Sequence, residues 1–115
     1  MITYKSTHHI DRKIVIKLGG STLEGLNEQF YKKIKLLQEE GFQIVITHGG
    51  GPAINRSLEE MSISSKIIDG LRVTTDDMIG IVQKTLIGEV NPFVVAQLNA
   101  AEIPAIGLNG FDGGL

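Results

Sequence analysis

Two groups of consecutive glycines, each directly after a short β-branched run, constrain the fold of this chain most strongly. The pair Gly19–Gly20 follows residues 14–18, which are apolar except for Lys17, and the triplet Gly49–Gly51 follows residues 44–47. Nearly continuous apolar runs of this length are typical of parallel strands that are buried on both faces. The sequence therefore predicts two neighbouring parallel strands that each end in a glycine-rich loop.

A helix is predicted between these strands, because apolar residues recur there at helical spacing and a glycine follows the last turn. The apolar positions are Leu26, Phe30, Ile34 and Leu37, and Gly41 is placed to end the helix. Strand, helix and strand in this order form a βαβ unit with a right-handed crossover.

The segment after the glycine triplet is predicted to begin with a second helix. Pro52 lies where a helix tolerates proline best, in the first turn. Residues 66–74 then predict two short strands that turn at Asp69–Gly70, a dipeptide that favours a tight hairpin.

The remaining elements complete the prediction of the fold. Thr74 or Thr75 is placed to cap a third helix, Asn91–Pro92 to begin a fourth, and residues 104–106 to return to the sheet. The fold class that follows is α/β, an open and mostly parallel sheet sandwiched by helices, with a short β-hairpin.

Composition and charge exclude several classes of protein. The 115 residues include no cysteine, which excludes a disulfide scaffold, a thiolate zinc site and a cysteine nucleophile. A net charge of −2 offers no footprint for nucleic acid or an anionic membrane. No apolar stretch approaches the about 20 residues that cross a bilayer. Residues 1–12 lack the apolar run of a signal peptide, so we expect an amino-terminal tail, one lobe over residues 13–115 and a cytoplasmic protein.

The glycine loops are candidates for an anion site, because ligands of open α/β sheets bind at the carboxyl ends of the strands. Gly19, Gly20 and Gly49 would line the crevice for such an anion, with the positive end of the following helix aimed at it. Lys17 places a charge inside an apolar strand, so we expect a partner or an anionic ligand for it. Arg72, in the hairpin, could hold a carboxylate through two parallel hydrogen bonds.

Structural explanations stay open beside each functional one. The glycines could form tight turns only, Lys17 could extend from a strand end into solvent, and Arg72 could make a surface ion pair. His48 is a candidate base or a structural hydrogen-bonding residue, and His8–His9 has no acidic partner at metal-ligand spacing, so no metal site is expected. Neither the GxxxxGK[ST] phosphate loop nor a complete GxGxxG fingerprint is present.

Three motifs together resemble the amino acid kinase family: KLGGS at residues 17–21, HGGGP at 48–52 and GLRVT at 70–74. Within the family they are similar to the members that phosphorylate the γ-carboxylate of N-acetyl-L-glutamate in arginine biosynthesis. The likeness extends from about Lys13 to the last residue, and the third motif is the most specific. The resemblance implies ATP with Mg²⁺ as co-substrate and a homodimer.

The resemblance also implies individual roles. Lys17 would be catalytic, neutralising charge on the transferred phosphoryl group, and Gly50 and Gly51 would bind the substrate through backbone N–H groups. Arg72 would bind its α-carboxylate, and the hairpin over residues 66–74 would cover it as a lid. A carboxylate is itself the nucleophile, so His48 would not be needed as a base.

Members of this family have a carboxyl-terminal nucleotide lobe after the substrate lobe, and we expect residues 13–115 to be an incomplete substrate-binding lobe. The chain alone is accordingly expected to be inactive. Two alternatives remain: a kinase for another acylated amino acid of the aminoadipate type, and a non-catalytic module that binds an anion or a protein partner.

Overall fold

The computed structural model describes residues 12–115, so the predicted tail, including His8–His9, lies outside the described residues except for Arg12. Strands β1 (Lys13–Leu18) and β2 (Gln43–His48) pair in parallel, with Leu18 opposite His48 at the end that leads into the glycine loops. A short 3₁₀ turn (Leu23–Gly25) and helix α1 (Glu28–Glu39) connect the two strands. The predicted βαβ order is therefore confirmed.

The two faces of this strand pair differ sharply in exposure. Side chains alternate along a strand, so residues of one row share a face. Leu18 is buried and Ile16 packs beside it, whereas Val15 on the opposite face is 68% exposed and Val45 beside it is 55% exposed. Lys17 belongs to the exposed row. The prediction that these strands are buried on both faces is wrong, because the described helices pack against one face only.

Helix α1 ends as its sequence predicts and begins later than expected. The Asn27 side chain accepts a hydrogen bond from the Phe30 N–H at 3.1 Å, which caps the amino terminus one residue beyond Leu26. At the other end Gly41 has φ of 90°, and the N–H of Phe42 returns to the Leu37 carbonyl at 3.0 Å. This is the reversal for which glycine is preferred after a helix.

The next segment follows the prediction closely. Helix α2 (Gly51–Glu60) has Pro52 in its first turn. Strands β3 (Lys66–Ile68) and β4 (Leu71–Val73) pair antiparallel around Asp69 and Gly70, whose φ angles are 51° and 77°. Two successive residues with positive φ form the tight turn whose twist matches that of the flanking strands.

The third and fourth predicted helices form one continuous helical segment. Helix α3 (Asp76–Thr85) leads into a π-helical turn (Leu86–Val90) and then helix α4 (Asn91–Ala100). The prediction that Asn91 caps a new helix is wrong, since its φ and ψ of −62° and −48° are helical. Pro92 has no N–H and crowds the preceding turn, and the wider π turn accommodates such a residue.

Thr75 occupies the position before α3, but its hydroxyl makes no capping hydrogen bond. Its carbonyl instead accepts from the N–H groups of Met78 and Ile79, at 3.0 and 3.1 Å. The start of α3 is thus predicted in place, while the side-chain cap is not formed.

Two apolar clusters hold these elements together. One lies under the covered face of β1 and β2, and its buried members are Leu18, Leu23, Ile34, Ala53, Val90, Val94, Leu98 and Ile103. The other joins α2 to α3 through Ile54, Leu58 and Met78. Leu86, in the π-helical turn, packs against both clusters, so this turn connects the sheet layer with the α2–α3 pair.

Residues 104–106 do not form the predicted strand. The Ala105 N–H donates to the Asn99 side chain at 2.9 Å, which takes the donor that a strand ladder would use. A groove of about 330 Å³ lies between β2 and residues 103–108.

An ion pair joins α1 to the residues after α4. Lys35 binds Glu102 at 2.7 Å, and this hydrogen bond lowers the pKa of the Glu102 carboxyl.

No helix within residues 12–115 combines the length and the apolar character needed to cross a bilayer.

The α2–α3 cluster predicts a large difference between two leucines. Leu58 is 1% exposed and Leu36 is 57% exposed, and both lie in helices. We expect Leu58→Ala to lower the free energy of unfolding by about 2–5 kcal/mol, because it removes buried apolar surface and leaves a cavity. Leu36→Ala should cost less than about 1 kcal/mol. Urea unfolding followed by circular dichroism measures both, and equal losses would contradict this description of the core.

Candidate functional site

The two glycine loops touch each other at the carboxyl ends of β1 and β2. A Cβ built on Gly20 would lie 2.7 Å from the Gly51 nitrogen and 2.9 Å from the Gly50 nitrogen. Real Cβ atoms do not approach backbone nitrogens this closely, so only a glycine permits the contact. The predicted crevice residue Gly20 is therefore brought together with Gly50 and Gly51, which were predicted to bind the substrate, and the crevice residue Gly49 is at contact distance of Gly20.

The π-helical turn between α3 and α4 also packs against Gly50. It is buried, and a Cβ there would lie 2.7 Å from Leu86 Cδ2 and 3.1 Å from Val90 Cγ2. Gly50 is the residue just before α2 and its carbonyl accepts from the Ile54 N–H at 2.8 Å. The N–H groups at the start of a helix have no acceptor within it and carry its positive dipole end, which suits an anion.

Arg72 reaches from the hairpin to α2. Its Nη2 donates to Asn55 Oδ1 at 2.5 Å, and both side chains are only partly exposed. The other terminal nitrogen, Nη1, is buried and has no hydrogen-bond partner among the residues that the structure describes. Among residues 12–115 no carboxylate forms an ion pair with Arg72.

An unpaired buried donor is unfavourable, by roughly 1–3 kcal/mol and more for a charged group. A ligand carboxylate that accepts from Nη1 would remove this penalty. The surface ion pair considered for Arg72 is not formed with any carboxylate of residues 12–115, and the carboxylate-binding role stays a prediction.

Lys17 lies apart from these contacts in the structure. Its side chain is exposed, in the open row of β1 opposite Thr47, two residues before Gly19. It makes no hydrogen bond or ion pair with another described residue. We expected a partner because burial of the Lys17 ammonium would be unfavourable. The ammonium is exposed, so it needs none among the described residues. The charge remains available to an anion at the strand end.

Gly19 is exposed and its carbonyl closes the turn of the first glycine loop. Its carbonyl accepts from the Thr22 hydroxyl at 2.6 Å and from the Thr22 N–H at 3.0 Å. The first glycine loop is therefore a closed turn, which holds Gly20 against the second loop.

His48 makes structural hydrogen bonds at the end of β2. Nδ1 lies 3.0 Å from the Gly49 carbonyl oxygen, and Nε2 lies 2.9 Å from Asn91 Nδ2. An amide nitrogen can only donate, so Nε2 accepts and the ring proton is on Nδ1, which donates to Gly49. The Asn91 oxygen in turn packs so closely on Gly107 that a Cβ there would collide with it. His48 links the glycine loop to α4, which favours the structural alternative over a base.

A cavity of about 210 Å³ opens beside the glycine contact, and Gly20 and Gly50 line part of it. Arg56 lies at its rim, 3.2 Å from Glu24 and 3.8 Å from Glu89, with all three side chains more than half exposed. Neither Lys17 nor Arg72 lines this cavity. Of the predicted site residues, only Gly20 and Gly50 line this space.

Two residues of the site region escaped the sequence reasoning. Asn55 carried no distinctive signal, because it is one polar residue on a helix that continues with Arg56 and Ser57. Asn91 carried a misleading one, since Asn before Pro favours a helix start. No group of three or more metal-binding side chains is found within the described range, residues 12–115.

Comparison with known proteins gives a consistent result. The sequence profile of the amino acid kinase family matches residues 12–115. The chain is 40% identical over 104 residues to an acetylglutamate kinase of Geobacillus kaustophilus (strain HTA426), covering 90% of this chain and 40% of that protein. It is 48% identical over 99 residues to an acetylglutamate kinase of Staphylococcus saprophyticus, covering 86% and 39%. The chain thus spans about two fifths of the length of these curated relatives.

Solved structures share the fold. The crystal structure of smu.665 from Streptococcus mutans UA159 superposes with a TM-score of 0.82 at 38% identity, covering 88% of this chain and 41% of that one. An N-acetylglutamate synthase from Neisseria gonorrhoeae, solved in complex with coenzyme A and N-acetyl-glutamate, superposes with a TM-score of 0.60 at 25% identity. It is covered over 22% of its length, against 82% of this chain.

The contact between the glycine loops predicts a position-specific cost for alanine. Gly20→Ala forces a methyl group against two backbone nitrogens that cannot move aside, and we expect a loss of about 1–3 kcal/mol in unfolding free energy. Gly25→Ala is the matched control, because a Cβ there meets nothing within 4 Å and its φ is not positive. It should be neutral or slightly stabilising. Urea unfolding tests the pair, and a neutral Gly20→Ala would show that the loops do not touch.

Proposed function

Because the chain belongs to the amino acid kinase family, we propose that it is the part of a kinase that binds N-acetyl-L-glutamate for phosphorylation of its γ-carboxylate. One observation carries the proposal: a partly buried guanidinium with an unpaired N–H is tied to the helix whose start carries the glycine loop. The names of the relatives support the choice of substrate.

The proposed substrate has two carboxylates, and the site offers two places for anions. Arg72 binds the α-carboxylate, with Nη1 supplying a hydrogen bond that no described residue uses. The N–H groups of Gly50 and Gly51, at the amino-terminal end of α2, bind the other end of the molecule. The hairpin of β3 and β4 covers the bound substrate, since it is the element that carries Arg72.

The proposed reaction needs no general base. A carboxylate is ionised near neutral pH, so one γ-carboxylate oxygen is already a nucleophile. It attacks the terminal phosphorus of ATP, the bond from this phosphorus to the bridging oxygen breaks, and ADP leaves with that oxygen. The product is an acyl phosphate. His48 is free for the hydrogen bonds that it makes to Gly49 and Asn91.

What the chain supplies is alignment and charge stabilisation, which is what phosphoryl transfer requires. Lys17, exposed at the carboxyl end of β1, neutralises charge on the transferred group. The backbone of Gly19, Gly20 and Gly49 lines the phosphate crevice, and the hydrogen bond from the Thr22 hydroxyl to the Gly19 carbonyl closes the first of these loops. Mg²⁺ would accompany the phosphates of ATP, since residues 12–115 contain no cluster of side chains that could hold a metal ion. A homodimeric, cytoplasmic enzyme of arginine biosynthesis completes the proposal.

The proposal predicts different effects for the two cations on substrate binding. Arg72→Ala should weaken the binding of N-acetyl-L-glutamate to this chain by about ten- to hundredfold, because it removes charge-assisted hydrogen bonds. Lys17→Ala should change the affinity by less than about threefold, because Lys17 acts on the phosphoryl group. Isothermal titration calorimetry measures both, with thermal unfolding as the check on folding. An unchanged affinity in Arg72→Ala removes the role assigned to this residue.

The same calorimetry separates the competing functions. We expect N-acetyl-L-glutamate to bind more tightly than glutamate and than N-acetyl-L-2-aminoadipate, which is one methylene longer. Preference for the longer ligand would favour the aminoadipate-type kinase. Absence of binding by all three would favour a non-catalytic module.

A further inference from the structure

We propose that Asn55 is a positioning residue that holds the Arg72 guanidinium in place and thereby selects the length of the dicarboxylate. The inference rests on the proposed function, since it assumes that Arg72 binds the α-carboxylate. Its basis is the contact from Arg72 Nη2 to Asn55 Oδ1, at 2.5 Å, between β4 and α2.

The contact fixes one half of the guanidinium and leaves the other half for a ligand. Nη2 donates to Asn55, while Nη1 is buried and has no partner within the described part of the chain. A guanidinium is planar, so fixing Nη2 also fixes the direction in which Nη1 donates. The site is therefore built before the ligand arrives, which reduces the entropy that binding would lose.

The chemistry of asparagine suits this role. Its amide oxygen accepts a hydrogen bond without carrying a charge, so the positive charge of Arg72 stays available to an anion. Within residues 12–115 no acidic side chain forms an ion pair with Arg72 that would neutralise it.

The position of Asn55 on α2 links the Asn55–Arg72 contact to selection of the ligand by its length. Asn55 follows Gly51 by four residues, which is about 6 Å along a helix axis. The same rigid helix thus carries the glycine end of the site and the anchor of Arg72. The distance between the two anion positions is set by this helix, and a ligand longer by one methylene fits it less well.

A double-mutant cycle measured by calorimetry tests the inference. Asn55→Ala should weaken N-acetyl-L-glutamate binding by about tenfold, and it should reduce the preference over N-acetyl-L-2-aminoadipate. The same change made in Arg72→Ala should have little further effect, because the two side chains act as one unit. Alanine is a good helix former, so α2 itself is not weakened. Glu59→Ala, on an exposed position of the same helix, is the control and should change neither quantity.

The outcomes separate the two proposals. If Arg72→Ala weakens binding and Asn55→Ala does not, the positioning role is wrong and the proposed function stands. If the two changes weaken binding independently, Asn55 acts without Arg72 and the inference is overturned. If Arg72→Ala has no effect, the proposed function fails and the inference fails with it. Asn55→Leu, which keeps the branching at Cγ in a larger side chain and removes the acceptor, replaces Asn55→Ala should that variant not fold.

Discussion

The close approach of Gly20 to the backbone nitrogens of Gly50 and Gly51 is the contact on which the rest of the site depends. It joins the ends of two parallel strands and fixes where α2 begins. The side chains of Leu86 and Val90 pack against Gly50, so the π-helical turn lies against the second glycine loop. Such turns are rare and are frequent at functional sites, and here the turn packs against the loop that we assign to the substrate.

From this contact α2 extends to the only described guanidinium with a buried, unpaired nitrogen among residues 12–115. The site is thus organised along one helix, with backbone N–H groups at its start and the Asn55–Arg72 pair one turn later. The Ile54 N–H binds the Gly50 carbonyl at the start of the helix, and Asn55 holds Arg72 one turn later. No described carboxylate neutralises the charge of Arg72. This combination of a held cation and a free donor is what an anionic ligand requires.

The sequence predicted the parts of the fold that depend on local physics. The glycine loops, the stop at Gly41 and the tight turn at Asp69–Gly70 follow from backbone conformations that few residues adopt. The family and the α/β class were also predicted correctly. Burial of both faces of β1 was not, because an apolar run does not reveal which elements cover it. The strand over residues 104–106 failed because the Asn99 side chain accepts a hydrogen bond from the N–H of Ala105, a side-chain contact that periodicity does not encode.

The same division applies to the candidate site. Glycines and Arg72 were found because their residue types are unusual at those places, whereas Asn55 and the His48–Asn91 pair depend on tertiary contacts. The most direct measurement is a two-dimensional NMR titration of this chain with N-acetyl-L-glutamate, following the Gly50 and Gly51 amides and the Arg72 guanidinium. We expect these resonances to shift together with one midpoint concentration. Shifts confined to residues around the cavity at Arg56, with Gly51 and Arg72 unchanged, would contradict the proposed binding site.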